Sequence, residues 1–180
     1  LSHGKIPAMV SDQWHVLGAG SIGSLFACAM SELGASPVLL AKGTVGDRQS
    51  RTVYLNRDAT ADSAPEPFTF PVSVNSASLP IHYLLVTTKA YDVHDAICQV
   101  AHRLNAHSVI VVLVNGMGFM EPLNKQFPKL NFTLATTTEG AYRTGENQLY
   151  HAGKGTTQLG QVGLATAPDW FSGWAKLAMT

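Results

Sequence analysis

Four groups of residues have the types and spacing to do chemistry together. Gly18-Ala19-Gly20-Ser21-Ile22-Gly23 has the G-x-G-x-x-G spacing of a dinucleotide-binding turn. Its first glycine permits a tight turn, its second lets the backbone approach a pyrophosphate, and its third lets a helix lie close to a strand. The N-terminus of that helix adds free N–H groups and a positive dipole end. The other groups are Thr87-Thr88-Lys89, Asn115-Gly116 and the run Thr136-Thr137-Thr138-Glu139, each directly after an apolar stretch. A lysine there can hold a phosphate or carboxylate, and an asparagine a nicotinamide amide or a substrate oxygen. Threonine hydroxyls and turn N–H groups can line the same crevice. Any one of these is also ordinary strand-end punctuation, but their convergence on the glycine motif's edge points to one site.

The elements that must position them follow from the apolar pattern. The glycine motif alone is weak, since methyltransferases and flavoproteins carry similar turns. Its flanks decide. Residues 14–17 form a short apolar run, and Ile22, Leu25, Phe26, Ala29 and Leu33 then recur at helical spacing before Gly34 as C-cap. Residues 37–41 are apolar again, which completes a strand–helix–strand unit of about 30 residues. Beyond it, residues 43–67 are polar and predict loops and short edge strands, while 68–74 alternate and 81–86 predict a strong strand. A helix is expected over 91–105, with Val93, Ile97, Val100 and Leu104 on one face. The β-branched run 108–114 reads as a strand buried on both faces, followed by a short helix at 119–127 and a strand at 132–135. Thr144-Gly145-Glu146-Asn147 is a hairpin signal, and an amphipathic segment spans 168–179. The fold class is α/β: a Rossmann-like, doubly wound parallel sheet with an antiparallel C-terminal extension. Ligands bind such sheets outside the carboxyl ends of the strands.

Composition narrows the function. The 180 residues carry formal net charge zero, with 46% hydrophobic and 13% charged residues, enough for one substantial core and no electrostatic footprint for nucleic acid or an anionic membrane. No apolar run approaches the roughly 20 residues of a membrane span. Residues 1–13 are too polar for a secretory signal and read as a disordered or appended leader, leaving 14–180 as the folded domain. Cys28 and Cys98 form no C-x-x-C pair, which suits a reducing cytoplasm. His94, Cys98 and His102 fall at metal-ligand spacing on the predicted helix, but no further ligands accompany them and no metal is predicted. Gly153-Lys154-Gly155-Thr156 echoes a phosphate loop, yet Gln148 stands where a glycine is needed and Gly155 where a Ser or Thr is needed.

The end of the second strand discriminates between nucleotides. An NAD site places an acid about 20 residues past the glycines, on the ribose 2′-OH. Leu39-Leu40-Ala41-Lys42 supplies none; it supplies Lys42, with Arg48 and Arg51 nearby. A cation suits a 2′-phosphate, so NADP(H) is the expected cofactor. A methyltransferase would also favour an acid there, and Lys42 argues against it.

Together these motifs resemble the ketopantoate reductase (2-dehydropantoate 2-reductase) family. The matching pieces are GAGSIG at 18–23, LLVTTKAYD at 84–92, VNGMG at 114–118, TTTEGA at 136–141 and HAGKGTTQLG at 151–160. The resemblance implies reduction of ketopantoate to pantoate by NADPH, a cytoplasmic step of pantothenate and coenzyme A biosynthesis. It implies cofactor binding by Gly18, Ala19, Gly20, Ser21, Ile22, Gly23, Lys42, Thr87, Lys89, Asn115, Gly116 and the backbone of Ala141. Lys89 and Asn115 would face nicotinamide and substrate in a supporting catalytic role. Glu139 departs from members with histidine there and is assigned no role. In the family a helical second domain supplies a lysine acid and a glutamate. Trp174-Ala175-Lys176-Leu177-Ala178 echoes that lysine's surroundings but follows Gly160 too closely. Residues 169–179 fit better as the nucleotide domain's last helix, so the second domain is expected to be absent and the chain alone to turn over little. The expected partner is a small 2-keto acid, with no nucleic acid or membrane and homo-oligomerisation left open. Two alternatives remain: another NADP-dependent 2-keto or 2-hydroxy acid dehydrogenase, and a non-catalytic NADP-binding module.

Overall fold

The computed structural model describes residues 13–43, 50–57, 64–116, 118–160 and 171–174. The expected leader (bar its last residue), Arg48, Lys176 and most of the segment 168–179 lie outside the described residues.

Strand β1 (Trp14–Leu17) runs through the glycine turn into helix α1 (Ser21–Glu32) and back into β2 (Val38–Ala41), parallel to β1. Strands β3 (Ser50–Asn56) and β4 (Glu66–Val74) follow, then β5 (Tyr83–Val86), helix α2 (Val93–Val100), β6 (Val109–Leu113), helix α3 (Met120–Gln126) and β7 (Phe132–Thr137). The chain continues with β8 (Gly140–Arg143), β9 (Gln148–Gly153), β10 (Thr157–Gly160) and a short helix α4 (Phe171–Trp174). All ten strands form one sheet in the order β10-β7-β6-β5-β1-β2-β4-β3-β9-β8. From β7 to β4 the neighbours are parallel. Their carboxyl ends therefore share one edge, which is where the candidate residues sit.

The side-chain period of 2 divides the core cleanly. Val16, Leu39, Leu85, Val111 and Leu113 face α1, with Phe26 and Met30 of the helix packed on them. Leu17, Leu40, Leu84, Val86, Ile110 and Val112 face α2 and α3, against Val93, Ile97, Val100 and Leu123. Helices on both faces explain why these strands read as nearly continuous apolar runs. Trp174 is 5% exposed and sits 5.6 Å from the Trp14 ring and 6.0 Å from Phe26, so α4 closes the α1 face of this core.

Two expectations change. The polar stretch 43–67 does not form a short edge strand: β3 is seven residues long and lies inside the sheet, antiparallel to β4 and parallel to β9. Val53 and Leu55 alternate with polar residues and bury one face, a period too short to stand out in that polar context. The extension is therefore built from β3 as well as the C-terminal strands, with one parallel pairing within it. The helix expected over 91–105 is α only from Val93 to Val100, with 3₁₀ turns at Ala90–Asp92 and Ala101–Arg103. Arg103 explains the tighter end. It is 3% exposed and donates from Nε to the Leu79 carbonyl at 2.8 Å and from Nη1 to the Val74 carbonyl at 3.1 Å. That ties down the helix-free connection that carries the chain from β4, past β2 and β1, to β5.

His15 in β1 is also buried, and its pKa is lowered from 6.5 to about 4, first by burial and then by the Arg103 charge. A folded-state pKa below the unfolded one means the fold favours the neutral imidazole. Its contribution is complete above pH 6.5 and is lost as pH falls towards 4. Stability is expected to fall by up to about 3 kcal/mol across that window. His15→Gln should flatten the slope, as read from urea midpoints at a series of pH values.

Candidate functional site

The glycine turn is shaped by what lies behind it. Gly18 has φ +96°, and a Cβ there would stand 2.7 Å from the Thr88 nitrogen and 2.9 Å from the Thr87 carbonyl carbon. A Cβ on Gly23 would lie 2.4 Å from Thr87 Oγ1 and 2.5 Å from the Gly18 oxygen. Gly20 is different: the nearest atom to its Cβ position is 3.9 Å away, so its open side faces the cleft. Thr87 fastens the turn to β5, donating its N–H to the Leu17 carbonyl at 2.8 Å and its hydroxyl to the Gly18 carbonyl at 2.7 Å. Helix α1 begins with no side-chain cap on Gly20 and no acid in its first turn. Its first N–H groups have no acceptor within the helix, so they are available to an anion.

A cleft of about 730 Å³ opens in front of this turn. Gly18, Ala19, Gly20, Ser21 and Ile22 line it together with Thr87 to Ala90, and Asn115, Thr137, Ala141 and Arg143 complete the lining. The structure brings Thr87, Lys89, Asn115 and Ala141 together with the turn around one cleft. Lys89 is exposed at the rim. Asn115 links the ends of β6 and β7: its Nδ2 donates to the Thr137 carbonyl at 3.2 Å and its Oδ1 accepts from the Thr137 N–H at 3.3 Å. Each end of that amide keeps capacity for one more hydrogen bond. Gly116, at φ +112°, supplies the turn behind Asn115 and does not line the cleft. Gly23 is packed under the turn and likewise does not line it.

A second cleft of about 380 Å³ lies beyond the end of β2, bordered by Lys42, Arg51, Arg143 and Glu146. Two guanidinium groups meet there. Arg51 Nη1 donates to the Ala19 carbonyl at 3.1 Å and Arg143 Nη1 to the same oxygen at 3.4 Å. Both also donate through Nη2 to the Glu146 carbonyl, at 2.7 Å for Arg51. Arg51 Nε is buried with no hydrogen-bond partner among the described residues. Lys42, Arg51 and Arg143 thus gather around this cleft, with the Glu146 backbone carbonyl holding the two guanidinium groups. Sequence reading missed Arg143. The period of β8 could have found it, because Arg143 shares a face with Ala141, two residues earlier in the same strand.

Other motifs take structural parts. Gly155 follows β9 without opening a helix, and a Cβ there would lie 2.3 Å from the Thr138 carbonyl carbon. That glycine lets the β9–β10 connection cross the backbone after β7. Glu139 accepts a hydrogen bond from His151 at 2.7 Å, with both side chains about 5% exposed or less, and does not line the large cleft. His94 contacts Asp95 at 3.1 Å while His102 bonds the Ala77 carbonyl at 3.0 Å, and no metal-binding group occurs among the described residues.

The sequence model of the family described as ketopantoate reductase PanE/ApbA matches residues 14–163. The chain belongs to the ketopantoate reductase family. It is 32% identical over 149 residues to the 2-dehydropantoate 2-reductase of Vibrio cholerae, covering 81% of this chain and 46% of that protein. To the Halobacterium salinarum 2-dehydropantoate 2-reductase it is 28% identical over 152 residues, covering 48% of that protein. The chain therefore spans about half the length of these curated relatives. Among solved structures, the 2-dehydropantoate 2-reductase from Methylococcus capsulatus superposes with TM-score 0.71 at 17% identity, over 92% of this chain and 53% of that one. A D-mandelate dehydrogenase solved with NADH and anilino(oxo)acetate gives TM-score 0.75 at 18% identity, over 92% and 54%. These structural likenesses establish the shared Rossmann-like architecture. No helix among the described residues is long and apolar enough to cross a membrane.

The packing separates the glycines' tasks by experiment. Gly18→Ala and Gly23→Ala should each destabilise the fold by about 2–4 kcal/mol, because backbone and the Thr87 hydroxyl must shift. Gly20→Ala should stay within about 1 kcal/mol. Thermal unfolding of the three variants checks the ranking.

Proposed function

We propose that this chain is the NADP(H)-binding part of a 2-dehydropantoate 2-reductase, with residues 14–180 as its nucleotide domain. The observation that carries the cofactor preference is the second cleft, where Lys42, Arg51 and Arg143 gather beside the end of a β2 strand that bears no acid. A ribose 2′-phosphate seated there would take the buried, unpartnered Arg51 Nε and the Lys42 ammonium as donors. The uncapped N-terminus of α1 and the open side of Gly20 suit a pyrophosphate. The nicotinamide end would then reach Asn115, Ala141 and Lys89.

When bound, the reduced nicotinamide supplies a hydride to the 2-keto carbon. The chain's own residues orient the reactants. Asn115, held from behind by Thr137, has one donor and one acceptor position left for an amide or a keto oxygen. Lys89 offers its charge to the substrate carboxylate. This geometry holds the donor in reacting position. The acid for the developing alkoxide is assigned to the helical second domain that the family resemblance implies, and the active form is placed in the cytoplasm with ketopantoate as its keto acid. Membership of the family supports this reading over the alternatives of a different 2-keto acid reductase or a non-catalytic NADP-binding module.

Calorimetric titration tests the proposal. NADPH should bind at least about tenfold more tightly than NADH. Lys42→Ala should narrow that ratio mainly by weakening NADPH. Gly20→Ala, although folded, should weaken both. Equal affinities for NADPH and NADH would overturn the assignment of the basic cleft.

A further inference from the structure

Glu139 and His151 lie outside the large cleft, yet they sit where two of its sides are joined. Strands β7 and β8 stand near opposite ends of the sheet order, and only Thr138 and Glu139 separate them in sequence. Three residue steps span at most about 11 Å, so the sheet curls until its two ends meet at Glu139. The return crossing, from β9 to β10, meets the first one there. Thr138 donates its N–H to the Thr156 carbonyl at 3.0 Å and accepts the Thr156 N–H on its hydroxyl at 2.8 Å. One side of this junction leads to Asn115. The Glu139 N–H donates to Thr137 Oγ1 at 3.1 Å, and the Thr137 backbone holds both ends of the Asn115 amide. The other side leads along β8 to Ala141, whose register partner on β9 is His151. The β8–β9 pairing shifts register between Gly140 and Ala141, an irregularity that re-aims the side chains beside it. Across the junction, His151 Nε2 reaches Glu139 Oε2 at 2.7 Å, and the two side chains are only 4% and 5% exposed. Little water competes for that hydrogen bond.

We propose that Glu139 and His151 are a positioning pair, whose hydrogen bond fixes Asn115 on one side of the large cleft against Ala141 on the other. That role rests on the proposed contact of Asn115 with the nicotinamide or keto oxygen. It gives Glu139 a task that its motif leaves unassigned. Neither side chain touches a ligand. Glu139 acts on Asn115 through Thr137, and His151 acts on Ala141 through their pairing in the sheet. A displacement of about 1 Å at such contacts is enough to spoil a reacting geometry, and a buried tie between the two strands resists it.

Calorimetry on this chain with two ligands tests the pair: NADPH, and adenosine 2′,5′-bisphosphate, which carries the 2′-phosphate but no nicotinamide. Removing one member of a buried pair strands the other, so the main variant replaces both with apolar groups of similar size, Glu139→Leu together with His151→Phe. It should stay folded, keep its affinity for the bisphosphate and bind NADPH about five- to tenfold more weakly. Glu139→Gln retains an oxygen acceptor for His151 and should bind NADPH within about twofold of the unmodified chain. Thr137→Val leaves the buried pair intact and removes the hydroxyl between Glu139 and Asn115; it should show the same one-sided loss, and it stands in if the double variant does not fold. Equal loss for both ligands, or no loss for NADPH, overturns the positioning role. Asn115→Ala separates that failure from a failure of the nicotinamide contact. If Asn115→Ala binds NADPH undiminished, the contact itself is wrong; if it loses affinity and the double variant does not, only the pair is.

Discussion

The Gly18 carbonyl accepts from the Gly20 N–H at 2.6 Å and from the Thr87 hydroxyl at 2.7 Å, and those two hydrogen bonds join the glycine turn to the end of the neighbouring strand. Such a join is feasible only without side chains at Gly18 and Gly23, since a Cβ at either would come within 3 Å of Thr87 or Thr88 atoms. Everything at the sheet's carboxyl edge is referred to this contact. It sets where α1 begins, and hence where the helix's unpaired N–H groups point. It also brings Thr88 and Lys89 round to the same opening. The loss of glycine flexibility there is offset by burial of the strands on both faces.

Around this centre three clefts open, and their linings differ. Cations collect beyond β2, where Arg51 and Arg143 share the Ala19 and Glu146 carbonyls. On the α2 side a smaller cleft mixes Asn75, Gln99 and Asp92 with Lys42. The large cleft between them mixes the glycine turn, threonine hydroxyls and apolar side chains with Asn115, Lys89, Asp92 and Arg143. Two like-charged guanidinium groups on the same pair of carbonyl oxygens repel one another, so the cluster is most stable with an anion beside it. The β8–β9 hairpin takes part in this arrangement: Arg143 belongs to β8 and Glu146 to the hairpin's turn, so the hairpin packed on α1 also forms a wall of the site.

The strand–turn–helix unit and the doubly wound core were legible because their signals are local. Glycine spacing, helical period in α1, the apolar run of β5 and the β-branched run of β6 each report on a few consecutive residues. The placement of Thr87, Lys89 and Asn115 on one cleft followed from strand ends sharing an edge, whereas Ala141, within β8, came from the family resemblance. What escaped was non-local. The β3 strand lies in polar sequence, and it gains its interior position by pairing with β9, about 90 residues later. Arg103 shortens the α2 helix through carbonyls contributed by a distant connection.

By itself, then, the sequence determined the fold class, the glycine turn and the family, since periodicity, turn chemistry and motif order are written along the chain. Only the tertiary structure decided which charged and polar side chains face each other. Arg51 and Arg143 are 92 positions apart in the numbering and meet on one carbonyl oxygen, and the buried Asn75 amide finds its acceptor in Gln99 on a helix 24 positions later. Those outcomes depend on sheet order and burial, and a hydrogen bond between distant residues leaves no period or spacing in the chain that could announce it.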